Sequence, residues 1–152
     1  MEPARRRALI EQYKDGYRAV REALDQLTEA ALDARPVDGW TPREIAHHLA
    51  DSETMSYVRL RRLLAEDHPI IQGYDEPEYA RRLQYDRPIA SSLEVFRAVR
   101  VASAELLESL NEDEWAREGT HSESGRYTMG DWLEIYAAHA HDHAAQMLKT
   151  RR

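Results

Sequence analysis

A chain of 152 residues has room for one ordinary domain and not for two, so residues 1–152 are read as a single unit; 42% hydrophobic and 32% charged residues make it globular and well solvated. It contains no cysteine, which excludes disulfides, thiolate metal ligands and a cysteine nucleophile. Its formal charge of −7 repels a phosphate backbone and argues against nucleic acid as a partner.

From the N-terminus, Arg5 to Arg7 lack the apolar run that a signal peptide would carry. No apolar stretch reaches the length of a bilayer span, so the expectation is a cytoplasmic protein with no membrane partner. The basic clusters at Arg5 to Arg7, Arg59 to Arg62 and Arg151 with Arg152 read as solvated helix faces and ends. A first helix runs from about Ala4 to Leu27, with Leu9, Tyr13, Tyr17, Val20, Leu24 and Leu27 at spacings of three and four. After a turn at Arg35-Pro36 and Gly39, Thr41 supplies an N-cap, Pro42 the first helical position and Glu44 a capping box. The second helix carries Ile45, Leu49, Ser52, Ser56, Leu60 and Leu63 inward and ends near Glu66. Asp67 to Ala90, punctuated by Pro69, Gly73, Pro77 and Pro88, is a long connection with a short helix at Glu76 to Tyr85; connections of this length often cover a site. Ser91, with Glu94 three residues on, opens a third helix whose buried side is Leu93, Phe96, Val99, Leu106 and Leu110. Glu118 to Tyr127, with Gly119 and Gly125, is the one stretch that admits a short strand. Thr128 then starts a fourth helix to about Lys149, with Trp132, Tyr136, His139, His143 and Met147 on one stripe. Four helices of this length predict an all-α four-helix bundle with a long connection between the second and third.

Chemistry is concentrated in the histidines. His139 and His143 are four apart, so the helix advances by about 6 Å and 400° and both rings leave one face. Such a pair can chelate one transition-metal ion, or can pack beside Trp132 and Tyr136 without one. His141 points to nearly the opposite side. The second helix offers a facing ligand at His47 or His48. His48 borders the apolar stripe, whereas His47 shares a line with Arg43, Asp51 and Thr54 that reads as solvated; helix position favours His48. Three histidines without a fourth protein ligand describe an open, catalytic type of metal site. No nucleophile elbow or phosphate-cradling glycine loop occurs.

Residues 40–53, Trp-Thr-Pro-Arg-Glu-Ile-Ala-His-His-Leu-Ala-Asp-Ser-Glu, resemble the first motif of the DinB/YfiT-like superfamily. Residues 136–146, Tyr-Ala-Ala-His-Ala-His-Asp-His-Ala-Ala-Gln, resemble its second. Asp75 to Tyr85 and the run from Gly125 through Thr128 to Trp132 are also similar, so the resemblance covers nearly the whole chain. It implies an up-up-down-down-like four-helix bundle, a homodimer, and a divalent transition metal, zinc or nickel, held by His48, His139 and His143. Many relatives carry histidine where this chain has Asp142. Members resemble thiol S-transferases using bacillithiol or mycothiol, a mycothiol-dependent maleylpyruvate isomerase, or proteins named metal-dependent hydrolases.

Two reactions follow from an open three-histidine site acting on a small molecule. A low-molecular-weight thiol, necessarily a cosubstrate in a cysteine-free chain, can be transferred to an electrophile, which is the first expectation. Alternatively water is activated for hydrolysis. A non-catalytic bundle, with a structural metal or none, is the third reading. Among supporting residues, Glu44 either orients a ligand from one turn before His48 or simply completes its capping box. Tyr136 and Asp142 are candidate proton relays, Tyr136 with core packing as its plainer role.

Overall fold

The computed structural model describes residues 1–149; Arg151 and Arg152 lie outside them. In chain order the elements are α1 (Pro3–Leu24), α2 (Glu29–Leu32), α3 (Pro42–Ala65), β1 (Ile70–Ile71), α4 (Glu76–Arg82), α5 (Ala90–Ser109), α6 (Glu112–Trp115), β2 (Glu118–His121), β3 (Gly125–Thr128) and α7 (Met129–Leu148). The four long helices, α1, α3, α5 and α7, form the bundle. No helix among the described residues is long and apolar enough to cross a membrane.

Local chemistry sets the helix starts. Thr41 accepts from the Glu44 amide while the Glu44 side chain accepts from the Thr41 amide, and Pro42 fixes the first helical position of α3. Thr128 and Asp131 make the same reciprocal box at α7. The expected Ser91 cap is not used. α5 begins at Ala90 after Ile89, with no side-chain cap. Pro88 disfavours helix at Arg87, and the burial of Ser92 and Leu93 against α3 anchors the first turn instead.

Cross-helix contacts give the directions. Arg5 meets Glu134, Tyr13 meets Trp132 and Val20 packs with Ala144, so α1 and α7 run parallel. His47 meets Ser92, Glu53 meets Arg100 and Arg61 meets Ser103, so α3 and α5 are also parallel. α1 packs on both α7 and α5, and α3 on both α5 and α7. Round the ring the helices therefore run up, up, down, down; along the chain they run up, down, down, up. A parallel α3–α5 pair obliges the chain to climb back the length of α3, roughly 36 Å at the α-helical rise. That is why the connection is long. It carries β1, which pairs parallel with β2, and α4, and its end is fastened where Tyr85 donates to Asp51 and the Arg87 carbonyl meets His47. β2 and β3 form an antiparallel hairpin across the foot of the bundle, its turn closed by Gly125 at φ +83.

The apolar core is in two pieces. A lower cluster gathers Leu60, Leu63, Leu107, Met129, Trp132 and Leu133; an upper one gathers Val20, Ile45, Leu49, Phe96, Ala140 and Met147. Between them lies a polar layer, with Glu53 and Arg100 fully buried beside Ser56 and Ser103. The buried side of α5 is thus Leu93, Phe96, Arg100, Ser103 and Leu107, an unbroken run of threes and fours, while Val99, Leu106 and Leu110 are only partly covered. The expected stripe drifted off this line because its true positions are occupied by an arginine and a serine.

Candidate metal centre

Antiparallel crossing of α3 and α7 sets residue 48 opposite residues 139–143. Each histidine turns its Nε2 to the same point: His48 Nε2 and His143 Nε2 lie 3.3 and 3.2 Å from His139 Nε2. One ligand atom from each of the three falls within 4.8 Å of the others. Four nitrogens round a tetrahedral ion at metal–nitrogen distances near 2.0–2.1 Å stand about 3.3 Å apart. The spacing across His139 fits that edge.

Protonation agrees with the geometry. His143 Nδ1 lies 2.8 Å from the Gln146 side-chain oxygen, an acceptor, so the ring carries its proton on Nδ1 and presents an Nε2 lone pair. Burial, followed by the neighbouring imidazoles, pushes His48 down to about 3. Burial and then His139 push His143 down to about 4. Both rings are neutral at physiological pH and able to act as ligands. The Trp40 ring stands edge-on to His48 at 4.6 Å between centroids and closes that side. His139 Nδ1 is buried without a hydrogen-bond partner and faces Glu53 Oε1 at 4.0 Å. Three imidazole nitrogens from two helices turned to one point form a donor set of the kind that takes a transition-metal cation.

Beneath the cluster the Glu53–Arg100 pair is fully satisfied. Arg100 donates to Glu53 Oε1 from Nε (3.1 Å) and Nη2 (2.7 Å), and also to the Tyr13 and Tyr136 carbonyls. Glu53 Oε2 takes Ser56 Oγ at 3.1 Å and Tyr13 Oη at 3.5 Å. Burial alone would raise the Glu53 carboxyl; the Arg100 charge outweighs it and, with His139, holds the group below the ordinary carboxylate range. Gly16 makes room for this guanidinium, since a Cβ there would strike Arg100 and sit 2.8 Å from Ala140 Cβ. Sequence reasoning missed Arg100 altogether. The signal lay in the phase of α5, where a charged residue occupies an inward position.

The remaining candidates separate clearly. His47 is not solvated: it is buried, with Nδ1 on Ser92 Oγ and Nε2 on the Arg87 carbonyl, both at 2.8 Å. The returning connection and α5 cover a face that looks polar along α3 alone. His141 reaches the Gln12 carbonyl of α1, away from the cluster. Glu44 spends its carboxylate on the cap and on Arg35. Asp142 is exposed. Tyr136 is buried next to Trp132, and its hydroxyl accepts from Arg59 at 3.1 Å. A cleft of about 190 Å³ opens beside His139, bounded by Ser52, Arg59, Tyr74, His121 and Tyr136. Larger grooves, between α1 and α5 and beside Trp115, are remote from the histidines.

Comparison with known proteins agrees with this architecture. Residues 12–147 match the model of the DinB superfamily. A protein of Oceanobacillus iheyensis named "Putative metal-dependent hydrolase" is 34% identical over 91% of this chain and 81% of its own. A Bacillus cereus protein of the same name is 28% identical over 94% of this chain and 83% of its own. The solved structure described as "YfiT from Bacillus subtilis is a probable metal-dependent hydrolase with an unusual four-helix bundle topology" superposes with a TM-score of 0.91. It is 26% identical and covers 99% of this chain and 87% of that one.

Proposed function

Since the chain belongs to the DinB superfamily, we propose that it is a metal-dependent hydrolase in which His48, His139 and His143 hold one divalent transition ion, zinc or nickel. The observation that carries this reading is the convergence of three histidine Nε2 atoms from two antiparallel helices. Three protein ligands is the count of catalytic sites; structural zinc sites take four. When bound, the ion supplies Lewis acidity, polarising a scissile carbonyl and lowering the proton affinity of water or a thiol. The chain's own residues do the rest. Gln146 holds the proton of His143 on Nδ1, Glu53 offers a carboxylate on the Nδ1 side of His139, and Trp40 keeps solvent from His48. Tyr136, its oxygen held by Arg59, retains a hydroxyl proton that it can donate at the cleft.

The test begins with elemental analysis of untagged protein. The native chain is expected to bring one equivalent of metal through purification or reconstitution, and His48→Ala to lose it. A native chain that takes up no transition metal defeats the proposal. Turnover of an ester and amide panel, abolished by chelation and restored by metal, would then establish hydrolysis.

Thiol S-transfer to an electrophile is the second reading, favoured by a specific feature: the chain has no sulfur nucleophile of its own. It calls for metal-dependent conjugation of monochlorobimane with bacillithiol, mycothiol or glutathione, and no turnover of the ester and amide panel. A purely structural metal would instead give a melt that collapses with chelator and no turnover in either assay.

A further inference from the structure

The cleft beside His139 gathers hydrogen-bond donors that the histidine cluster does not use. Arg59, half-buried on α3, donates to Tyr136 Oη and to the Gln72 carbonyl, and has no carboxylate partner among the described residues. A guanidinium in such a place carries its charge without a counter-charge on the protein. His121, at the end of β2, accepts the Glu123 amide on Nδ1 at 3.2 Å. Its proton is therefore on Nε2, and the edge it leaves to the cleft is a donor. Burial, and after it the charge of Arg59, lower the His121 pKa, so this ring is a neutral donor that leaves Arg59 as the cation. Tyr136 Oη accepts from Arg59, which leaves its own O–H as a third donor. Donors from α3, β2 and α7 thus line one small space next to a proposed metal ligand, and among the described residues the Arg59 cation has no carboxylate paired with it.

We propose that this cleft anchors the carboxylate of a small substrate, with Arg59 as the cation and His121 Nε2–H and Tyr136 O–H as flanking donors. The far end of the bound molecule would then lie toward His139. A monoanion suits the site better than a phosphate, because Glu76 and Glu123 stand exposed at its rim and repel a second negative charge. Its volume, about 190 Å³, is below the roughly 300–1,000 Å³ of drug-sized pockets and matches a group of a few heavy atoms. The assignment rests on the proposed metal centre only for the direction of the reacting end. Anion capture itself needs no metal.

The full chain, metal-loaded and chelated, is titrated with propionate, propylamine and inorganic phosphate while backbone amide resonances are followed by NMR. Propionate is expected to shift residues 120–123 and 136–139 saturably in both forms, with no response to propylamine and a response to phosphate at least about tenfold weaker. Arg59→Met should weaken propionate by about tenfold or more, the scale of losing a charged hydrogen bond, and Arg59→Lys by less. Metal content of Arg59→Met should match the native chain. Equal binding of propionate by Arg59→Met, or binding of propylamine or phosphate as tight as propionate by the chelated protein, overturns the proposal. If Arg59→Met does not fold, His121→Phe and Tyr136→Phe decide the matter: unchanged propionate binding in both rejects the anchor. A chain that binds propionate but no metal keeps the anchor and loses the hydrolase reading.

Discussion

The middle of the bundle contains two polar constellations that meet at His139, and they are built on opposite rules. Around Glu53 and Arg100 each side chain finds partners inside the protein: two Arg100 nitrogens on one carboxylate oxygen, two hydroxyls near the other, and two backbone carbonyls on the guanidinium. Around His48, His139 and His143 the ring nitrogens point at one another, Nε2 toward Nε2, 3.2 to 3.3 Å apart across His139. A saturated buried network orders a core, whereas an unsaturated one has binding capacity to spare. The first ties α3, α5 and α7 together; the second gathers three histidines on that frame. Removing a partner from each should therefore have opposite consequences.

The largest effect is expected at the saturated network. Glu53→Ala leaves the Arg100 charge buried without a partner, a change that costs about 3–5 kcal/mol in comparable settings. Urea unfolding of the chelated protein should record that loss. A midpoint displaced by less than about 1 kcal/mol would show that the pair does not organise the core and would dissolve the contrast.

Next is the hydrogen bond between the histidine cluster and its own support. Gln146→Leu removes the acceptor that holds the His143 proton on Nδ1. Outer partners of this kind are worth about 10–100-fold in metal affinity, or about 1.4–2.7 kcal/mol. Competition with a chelating dye measures it, while the melt of the chelated protein should barely move, as for most substitutions away from the core.

Gly16→Ala asks how tightly the saturated network is seated. Alanine gains about 0.5–1 kcal/mol over glycine inside a helix. Against that, its Cβ meets the Arg100 guanidinium and stands 2.8 Å from Ala140 Cβ, so α1 must move off α7, an overpacking cost of about 1–3 kcal/mol. A net loss of roughly 1–2 kcal/mol is expected by denaturant titration. A stabilised variant would mean that Arg100 relocates freely and that the layer is not rigid.

These two constellations were also unequally legible in the sequence. The gathering of the three histidines could be read because they sit beside apolar stripes of the right period: Ile45, Leu49 and Leu60 locate the inner face of α3, and Trp132, Tyr136 and Met147 that of α7. Thr41, Pro42 and Glu44 fixed the start of α3 for the same reason, local chemistry acting within one turn. The saturated network was hidden because Arg100 and Ser103 occupy inward positions of α5 with polar side chains, and hydrophobic periodicity is blind to a charge whose partner lies 47 residues away. His47 misled for a related reason. Its neighbours along α3 are polar, and only the return of the chain at Arg87 and Ser92 buries it. β1, two residues long, draws its pairing entirely from β2 and has no signature of its own.

The smallest expected change in stability is also the most discriminating, because it is where the two constellations should differ most for the same kind of mutation. His48→Leu replaces a fully buried imidazole by an apolar side chain of similar volume. In the chelated protein the native ring contributes a desolvated Nε2 facing two others, so exchanging it for leucine should be neutral or stabilising by about 1 kcal/mol. The same variant should bind no transition metal, and added metal should leave its melting temperature unchanged while raising that of the native chain. A His48→Leu protein that, metal-free, loses as much stability as Glu53→Ala would place His48 with the saturated network. The cluster would then be a structural feature of the bundle, and its chemistry would have to be sought elsewhere.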